Sequence, residues 1–311
     1  MLSRVAERLY WMSRYLERVE NTARLIDVYT NLLLDMPSGV NIGWYNLVTL
    51  NDAEEWFDAR YKVRDERNVL RFLLSDPDYP GSVINSLKMV RENIRTSRDV
   101  IPAESWEYIN ELSLYVNENL QKGVNRGARH DFIGEVIQSC QLLTGLFIGT
   151  MSEGQPKSFL RLGRNVERAD MTTRILDAGA TVVLENDGNL LPTVEQIVWA
   201  NVLHSASAYL PFTKSQRKSV NGSRVASYLL EDRNFPRAVG YCLEAIENIA
   251  ERLPRNQKLL AAVRKLIGAK FSDIDDDEAV IEQSFRDYLN NLQLQIATLH
   301  QLAADTWFEL D

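Results

Sequence analysis

One charged pattern occurs twice in this chain, and the repetition limits the folds that the chain can adopt. Residues 13–27 read SRYLERVENTARLID, and residues 163–177 read GRNVERADMTTRILD. An offset of 150 positions aligns six identical pairs and one chemically equivalent pair: Arg14/Arg164, Glu17/Glu167, Arg18/Arg168, Glu20/Asp170, Thr22/Thr172, Arg24/Arg174 and Asp27/Asp177. Self-similarity over such a long interval predicts a chain built from two copies of one structural unit.

Further matches follow in the same order along the chain. Trp44 and Asn46 align with Trp199 and Asn201 at an offset of 155, and FLLSDPDYPGSV (72–83) aligns with YLLEDRNFPRAV (228–239) at an offset of 156. Ordered matches with a slowly growing offset are typical of an internal duplication. We therefore predict two helical-bundle halves, residues 1–152 and 153–311, related by pseudo-twofold symmetry and packed as one structural unit. Each half is predicted to open with a long helix that carries a Glu-Arg motif.

Apolar residues recur at three- and four-residue steps through most of the chain, as in amphipathic helices. The segments with this pattern are 3–35, 82–99, 103–122, 131–152, 157–185, 236–253 and 277–309. Stretches rich in Gly and Pro, such as MPSG (36–39) and DPDYPG (76–81), separate several of them. No two alternating, β-branched runs flank a tight turn, so the sequence offers no source for a sheet. The predicted fold class is all-α.

The composition is that of an ordinary globular protein, and it limits the expected partners. The 311 residues are 45% hydrophobic, with a net charge of −8 and a pI near 5.2. Nucleic acid is not expected as a main partner, because binding its backbone requires a basic face. The N-terminal stretch lacks the apolar core of a secretory signal, and the most apolar run (142–151) is too short to span a bilayer. We expect a cytoplasmic protein without membrane contact, with Cys140 and Cys242 as buried free thiols.

Helical geometry gathers the repeated charges along neighbouring faces of each long helix. They are the candidate site residues: Arg14, Glu17, Arg18, Glu20, Arg24, Asp27, Arg164, Glu167, Arg168, Asp170, Arg174 and Asp177. Ion pairs are expected within each helix at i,i+4 and i,i+3 spacing: Glu20–Arg24, Asp170–Arg174, Arg24–Asp27 and Arg174–Asp177.

Three interpretations of this charged stripe are open. The first is a solvated ladder, a row of ion pairs on an exposed helix face. Each pair would stabilise the helix by only about 0.3–0.5 kcal/mol, which gives no reason for two copies to keep the same residue types. A buried network that fixes the packing of the two long helices does give a reason, because breaking a buried pair costs about 3–5 kcal/mol. A ligand site built on the same residues is the third interpretation. We favour the buried network over the ligand site, and both over the solvated ladder.

No metal or cofactor is expected. A di-iron carboxylate bundle needs Glu-x-x-His pairs, and His130, His204 and His300 lie in no such spacing. The acidic stretch SDIDDDEAVIE (272–282) resembles magnesium-diphosphate motifs, but we interpret it as an acidic cap before the last helix. The sequence contains no Gly-rich phosphate loop and no nucleophile motif. Turnover of ATP by this chain alone is therefore not expected.

The doubled LERVENTARLID / VERADMTTRILD, with RENIRTSRDVIPAESWEYINEL (91–112) between the copies, resembles the bacterial Alpha-E family of helical domains. The likeness runs along essentially the whole chain, and the family's Glu-Arg pair matches Glu17–Arg18 and Glu167–Arg168. Members are typically encoded beside, or fused to, a circularly permuted ATP-grasp protein similar to carboxylate–amine ligases. Transglutaminase-like and proteasome-like hydrolases are frequent neighbours. The resemblance implies a system that makes, attaches or trims small peptides or amides.

Three functions compete at this point. The first is a helical accessory or substrate-presenting partner of the ATP-grasp ligase, with a transglutaminase-like protein as a second candidate partner. The second is an enzyme of small-peptide or amide metabolism, with Glu17 or Glu167 as general base and Arg18 and Arg168 clamping an anion. The third is a structural oligomerisation module. The basic segment KSQRKSVNGSR (214–224), which is less acidic than its counterpart ARYKVRDER (59–67), is either part of a partner-binding surface or a solvated connection.

Overall fold

The computed structural model describes residues 1–35, 43–185, 191–217, 219–269 and 282–308. Every element formed by these residues is helical, so the predicted all-α class is confirmed. The helices are α1 (Ser3–Asp35), α2 (Asn46–Leu50), α3 (Glu54–Asp58), α4 (Glu66–Ser75), α5 (Val83–Arg95), α6 (Glu104–Val124), α7 (Arg126–Thr150), α8 (Gln155–Glu185), α9 (Pro192–Ser205), α10 (Tyr209–Gln216), α11 (Gly222–Glu231), α12 (Val239–Ala250), α13 (Gln257–Gly268) and α14 (Gln283–Trp307).

The long helices match the predicted segments, and the differences have local causes. Helix α7 begins at Arg126 rather than at 131, because the side chain of Asn125 accepts a hydrogen bond from the Gly127 backbone N–H and caps the helix there. The periodicity search missed the shorter helices α2, α3, α4, α9, α10, α11 and α13. Residues 277–281 of the last predicted helix lie outside the described residues.

Helices α1 and α8 form the centre of the molecule and pack along each other. Helix α1 also contacts α5 and α7, and α8 also contacts α12 and α14. The buried side chains of α1, among them Leu9, Met12 and Val19, join a core that extends through both parts of the chain. The two long helices are therefore surrounded by other helices over much of their length, and several charged residues on them, such as Glu17 and Glu167, are buried.

The two central helices approach each other most closely at Gly163. A Cβ atom at this position would lie 2.2 Å from the backbone oxygen of Tyr10 and 2.5 Å from Oγ of Ser13. Only a residue without a side chain allows this distance, since real Cβ contacts are well above 3 Å. The close approach brings the next turns of α1 and α8 within reach of each other's charged side chains.

Two similar turns precede α5 and α12. The carboxylate of Asp76 accepts hydrogen bonds from the backbone N–H groups of Asp78 and Tyr79, and Asp232 accepts from those of Asn234 and Phe235. Such Asx turns fix the direction of the chain entering the following helix.

Among the described residues, one helix is long and apolar enough to cross a bilayer by length and composition alone. This is α7 (Arg126–Thr150), and core helices of soluble proteins pass the same test. Its inner face, which includes Phe132, Val136 and Cys140, is buried, and the helix packs on α1 and α6. The cytoplasmic location stays a prediction.

Candidate functional site

Each Glu-Arg motif pairs with the other motif across the two central helices. Glu167 on α8 accepts two hydrogen bonds from Arg18 on α1, with Nε–Oε1 2.6 Å and Nη2–Oε2 3.1 Å. Glu17 on α1 accepts two from Arg168 on α8, with Nε–Oε1 and Nη2–Oε2 both 2.8 Å. Both are bidentate guanidinium–carboxylate pairs, the geometry with the greatest directional specificity. We call these two cross-helix units the Glu-Arg clamps.

A second arginine completes each clamp, but it comes from a different place in each. Glu167 also accepts a hydrogen bond from Nε of Arg14, one turn earlier on α1, at 2.7 Å. Glu17 instead accepts one from Nη1 of Arg237, which precedes α12, at 3.0 Å. Each carboxylate thus receives three hydrogen bonds from two guanidinium groups.

Both glutamates are buried and ionised. Glu17 and Glu167 are each only 2% exposed. Burial raises the pKa of each carboxyl, but the neighbouring arginines outweigh burial, and the pKa falls from the ordinary 4.5 to about 2. The arginines that lower the pKa are Arg168 and Arg237 at Glu17, and Arg18 and Arg14 at Glu167. Neither carboxylate has the near-neutral pKa that a general base needs.

The guanidinium partners remain charged for the same electrostatic reason. Burial lowers the pKa of Arg14, Arg18 and Arg168, but the facing glutamates outweigh it, so each pKa lies above its ordinary value. The clamps are therefore fully ionic pairs within the helical core, where removal of one partner is costly.

The rest of the charged stripe follows the helix geometry only in part. The predicted i,i+4 pairs Glu20–Arg24 and Asp170–Arg174 form, with closest distances of 2.7 and 2.8 Å. In place of the predicted i,i+3 pairs, the described structure places Asp27 beside His130 at 3.1 Å and Asp177 beside Arg286 at 2.8 Å. The i,i+3 interpretation was wrong because partners on α7 and α14 reach these carboxylates.

Arg237 is a member of the network that sequence reasoning missed. Besides Glu17, its guanidinium donates to Glu20 Oε1 at 2.7 Å and to Asn21 Oδ1 at 2.6 Å. A signal did exist in the sequence, because the aligned block YLLEDRNFPRAV has Arg237 where the first copy has Gly81. A charged residue against a glycine, within an otherwise similar turn, marks a place where the two aligned blocks differ.

Arg164 is the exception among the twelve candidate residues. Ten of the others form ion pairs and Asp27 is hydrogen-bonded to His130, but Arg164 has no ion pair in the described part of the chain, and its Nε is buried without a hydrogen-bond partner. Arg14, its counterpart at the offset of 150, binds Glu167. The acceptors of Glu17 are instead occupied by Arg168 and Arg237.

The described residues contain no group of three or more His, Cys, Asp or Glu side chains placed to hold a metal ion.

Cys140 and Cys242 are buried free thiols, and burial raises the pKa of Cys242 to about 12 and that of Cys140 well above 9. Neither thiol therefore has the depressed pKa of a reactive cysteine. The acidic stretch 272–281 lies outside the described residues.

Comparison with known proteins identifies the family. A model of the Alpha-E family, described as a predicted alpha-helical domain with a conserved ER motif, matches residues 1–308. The chain belongs to the Alpha-E family. Five Glu-Arg dipeptides occur in its sequence, and within the described residues only those at Glu17 and Glu167 have a buried glutamate. The clamps thus give a physical reason for an ER motif in this Alpha-E protein.

The relatives found are longer proteins. Uncharacterized protein Mb2597 of Mycobacterium bovis and uncharacterized protein Rv2567 of Mycobacterium tuberculosis are each 23% identical over 272 residues. These matches cover 81% of this chain but 30% of each relative, so the chain spans about a third of their length. No solved structure gives a significant match.

Proposed function

We propose that this Alpha-E protein is a non-catalytic helical partner that presents substrate to, or supports, an ATP-grasp-type carboxylate–amine ligase in a bacterial peptide or amide modification system. The observation that carries the proposal is that both clamp glutamates form ion pairs with arginines of this chain. Glu17 and Glu167 are the groups best suited to chemistry, and their ion pairs hold α1 against α8. What remains is a rigid helical body whose exposed surface is free to bind another protein.

The alternative in which these glutamates act as general bases has less support. A general base works best when its pKa lies near the operating pH, and the pKa of each clamp glutamate is about 2. Each also faces two guanidinium groups that would have to be displaced before a substrate proton could approach. An oligomerisation module remains compatible with a rigid body, but no apolar face in the described residues points to a particular copy-to-copy contact.

The proposed internal duplication has support from the contacts of the central helices. In the proposal α1 corresponds to α8, α5 to α12 and α7 to α14. Helix α1 contacts α5 and α7, and α8 contacts α12 and α14. The reciprocal pairing of the clamps, Glu17 with Arg168 and Glu167 with Arg18, is what a pseudo-twofold axis between α1 and α8 would produce.

The length of the relatives supports a role beside other domains. In the mycobacterial proteins the matching segment is 30% of the chain, so most of each relative lies outside it. Domains that share one chain often work together, because fusion raises their effective concentration. The partner expected from the family resemblance is the circularly permuted ATP-grasp protein, with a transglutaminase-like protein as a second candidate.

Co-expression of this protein with a circularly permuted ATP-grasp protein from the same genome tests the proposal. We expect a complex in size-exclusion chromatography at micromolar concentration, and a changed rate of ligase-dependent ATP hydrolysis when this protein is added. The exposed residues Lys214 and Arg217 belong to the basic segment 214–224, so Lys214→Glu with Arg217→Glu should weaken the complex. Lys122→Glu, another exposed charge reversal, is the matched control and should not weaken it.

Absence of a complex at micromolar concentration, together with unchanged ligase activity, would discard the accessory role. Hydrolysis of ATP or of a peptide by this protein alone, lost in Glu17→Gln, would instead support the enzymatic alternative.

A further inference from the structure

A groove of about 630 Å³ lies between α5 and α6 and reaches the end of α4. Each of the two helices contributes a wall two turns long, from Ile84 to Arg91 on α5 and from Asn110 to Asn117 on α6. Two turns of helix rise about 10.5 Å, since each residue adds about 1.5 Å. We call this space the α5–α6 groove. Its volume lies within the range of ligand sites, and the length of its walls suits a short, elongated ligand.

The groove has an apolar floor. Leu87 of α5 and Val116 of α6 line it and are almost fully buried. Leu114 also lines the groove, and this side chain is 59% exposed. An exposed leucine beside a buried apolar floor offers contact area to an apolar side chain of a ligand, which would leave water on binding.

The charge of the groove is entirely positive. Lys88 and Arg91 line it, both are exposed, and no acidic side chain lies among the lining residues. Neither cation forms an ion pair within the described residues, since the acid next to Arg91 in sequence, Glu92, pairs with Arg95.

The guanidinium of Arg91 is held in place by uncharged groups. Its Nε donates to Oδ1 of Asn110 at 2.6 Å, and its guanidinium carbon lies 5.1 Å from the ring centre of Trp106. All three residues belong to the block RENIRTSRDVIPAESWEYINEL (91–112). These contacts orient the arginine without neutralising it, so its charge stays available to a ligand.

The aligned face of α12 carries the opposite charges. The buried positions of α5 and α12 agree at an offset of 156: Val83/Val239, Leu87/Leu243 and Val90/Ile246. At this offset Glu244 aligns with Lys88, and Glu247 aligns with Arg91. Each of these glutamates pairs with an arginine of the same chain. The charges on this face of α12 are thus neutralised internally, whereas those on α5 are not.

Two asparagines on α6 line the groove with unused amide atoms. Asn110 and Asn117 are seven residues apart, which places them on one side of the helix and about 10.5 Å apart along it. Within the described residues, the NH₂ group of Asn110 and Oδ1 of Asn117 have no hydrogen-bond partner, because Asn110 uses its oxygen and Asn117 its NH₂ group. Three residues of an extended peptide, at about 3.3 Å each, cover the same distance and offer backbone acceptors and donors to both.

We propose that the α5–α6 groove binds an extended peptide segment in which acidic and apolar side chains alternate. Successive side chains of an extended chain point to opposite sides, so the acids face Lys88 and Arg91 on α5 while the apolar side chains face Leu114 on α6. The peptide backbone forms hydrogen bonds with Asn110 and Asn117. Charge complementarity selects this occupant, because a groove with only positive charge is unusual on a chain of net charge −8. The inference does not depend on the ligase partner.

The probe is the fluorescein-labelled pentapeptide Glu-Leu-Glu-Leu-Glu with a C-terminal amide, followed by fluorescence anisotropy with the full-length protein. We expect saturable binding, and about ten-fold weaker binding of the uncharged peptide Gln-Leu-Gln-Leu-Gln, since several exposed charge pairs are lost together. Glu-Ser-Glu-Ser-Glu, which keeps the charge without the apolar side chains, should also bind more weakly. A rise in salt from about 0.05 M to about 0.5 M should weaken binding of the acidic peptide, because exposed charges are screened.

Three variants locate the binding site. Lys88→Glu should weaken binding of the acidic peptide about five-fold or more, whereas Lys265→Glu, which reverses an exposed lysine on α13 outside the groove, should bind as the wild type does. Lys88→Glu combined with Arg91→Glu should bind Lys-Leu-Lys-Leu-Lys more tightly than the wild type does, because the charges of groove and peptide then match again. Asn117→Ala should weaken the acidic peptide several-fold through loss of one backbone hydrogen bond. All the substituted side chains are exposed, so circular dichroism should show unchanged folding.

Equal binding of the acidic and uncharged peptides, or wild-type affinity in Lys88→Glu, would overturn the proposal. So would the absence of an anisotropy change at about 1 mM protein, since even a millimolar site would be half-filled at that concentration. Two results would assign the groove to another occupant and overturn the proposal as well. One is tighter binding of a single-stranded oligonucleotide than of the peptide, and the other is self-association in size-exclusion chromatography that Leu114→Glu abolishes.

Discussion

Neutralising one clamp glutamate at a time tests whether the clamps hold the two central helices together. Glu17→Gln and Glu167→Gln keep the side-chain shape but replace one carboxylate oxygen by an NH₂ group and remove the charge. At Glu17 the change leaves Arg168 and Arg237 facing a neutral amide, and at Glu167 it does the same to Arg14 and Arg18. Both sites are almost fully buried, so water cannot replace the lost partner.

Two routes give a similar magnitude for each substitution. Removing one partner of a buried ion pair typically costs about 3–5 kcal/mol. The pKa of each glutamate falls from 4.5 to about 2, and at about 1.4 kcal/mol for each pH unit this corresponds to about 3–4 kcal/mol of stabilisation of the ionised form. We expect each variant to lose about 3 kcal/mol, a large part of the roughly 5–15 kcal/mol by which a typical domain is stable.

The same pKa values predict the pH dependence of stability. Because the pKa is lower in the folded state, the unfolded chain binds more protons between pH 4.5 and about 2. The stabilisation is therefore fully present above pH 4.5 and is lost as the pH falls toward about 2. Each single variant should lose less stability than the wild type over this range, because one of the two shifted carboxyls is gone.

The measurement is urea denaturation followed by far-ultraviolet circular dichroism at pH 7 and at several values below 4.5. Glu118→Gln is the matched control, because Glu118 is exposed on α6 and should change stability by less than about 0.5 kcal/mol. The slope of free energy against urea should stay the same in all variants, so that midpoints are comparable. If Glu17→Gln and Glu167→Gln both behave like the control, the buried-clamp interpretation is refuted.

In a double-mutant cycle, Glu17→Gln and Arg168→Met together should cost less than the sum of the two single variants, with a coupling of about 0.5–3 kcal/mol by urea denaturation. Additive losses would mean that the two side chains do not interact. Gly163→Ala should destabilise by about 1–3 kcal/mol because its methyl group collides with the backbone of α1, whereas Gly134→Ala, with open space around its Cβ, should stabilise slightly. Similar melting temperatures for the two alanine variants would contradict this close helix contact. Burial and then Arg14 lower the pKa of His300 from 6.5 to about 4. Wild-type stability should therefore fall as the pH drops from 6.5 toward 4, and His300→Phe should flatten that dependence. An unchanged slope of stability against pH in the variant would show that His300 does not contribute.

Local periodicity was enough to predict the helical class and the extent of the central helices. The first helix was predicted over 3–35 and is found over Ser3–Asp35, and the second was predicted over 157–185 and is found over Gln155–Glu185. These helices carry regular apolar faces over many turns. Shorter helices such as α2 and α3 have only five residues each, too few for a period of 3.6 to be recognised.

The partners of the charged residues were predictable only where they lie in the same helix. Spacing alone places Glu20 beside Arg24, because residues four apart are neighbours on any α-helix. It does not say which helix faces Glu17, so the pairing with Arg168 needs the packing of α1 on α8. Arg237 is 220 positions from Glu17, and only the turn before α12 brings it there.

The turn before α5 and the aligned turn before α12 differ at one position that bears on the clamps. The earlier turn has Gly81, which carries no side chain, and Glu167 takes its second arginine, Arg14, from α1 itself. The later turn has Arg237 at the aligned position, and this arginine donates to Glu17. Arg164, which aligns with Arg14, forms no ion pair in the described residues, and its Nε has no hydrogen-bond partner. The second arginine of each clamp thus comes from the long helix where the turn has glycine and from the turn where the turn has arginine, a difference that residue spacing within one helix could not predict.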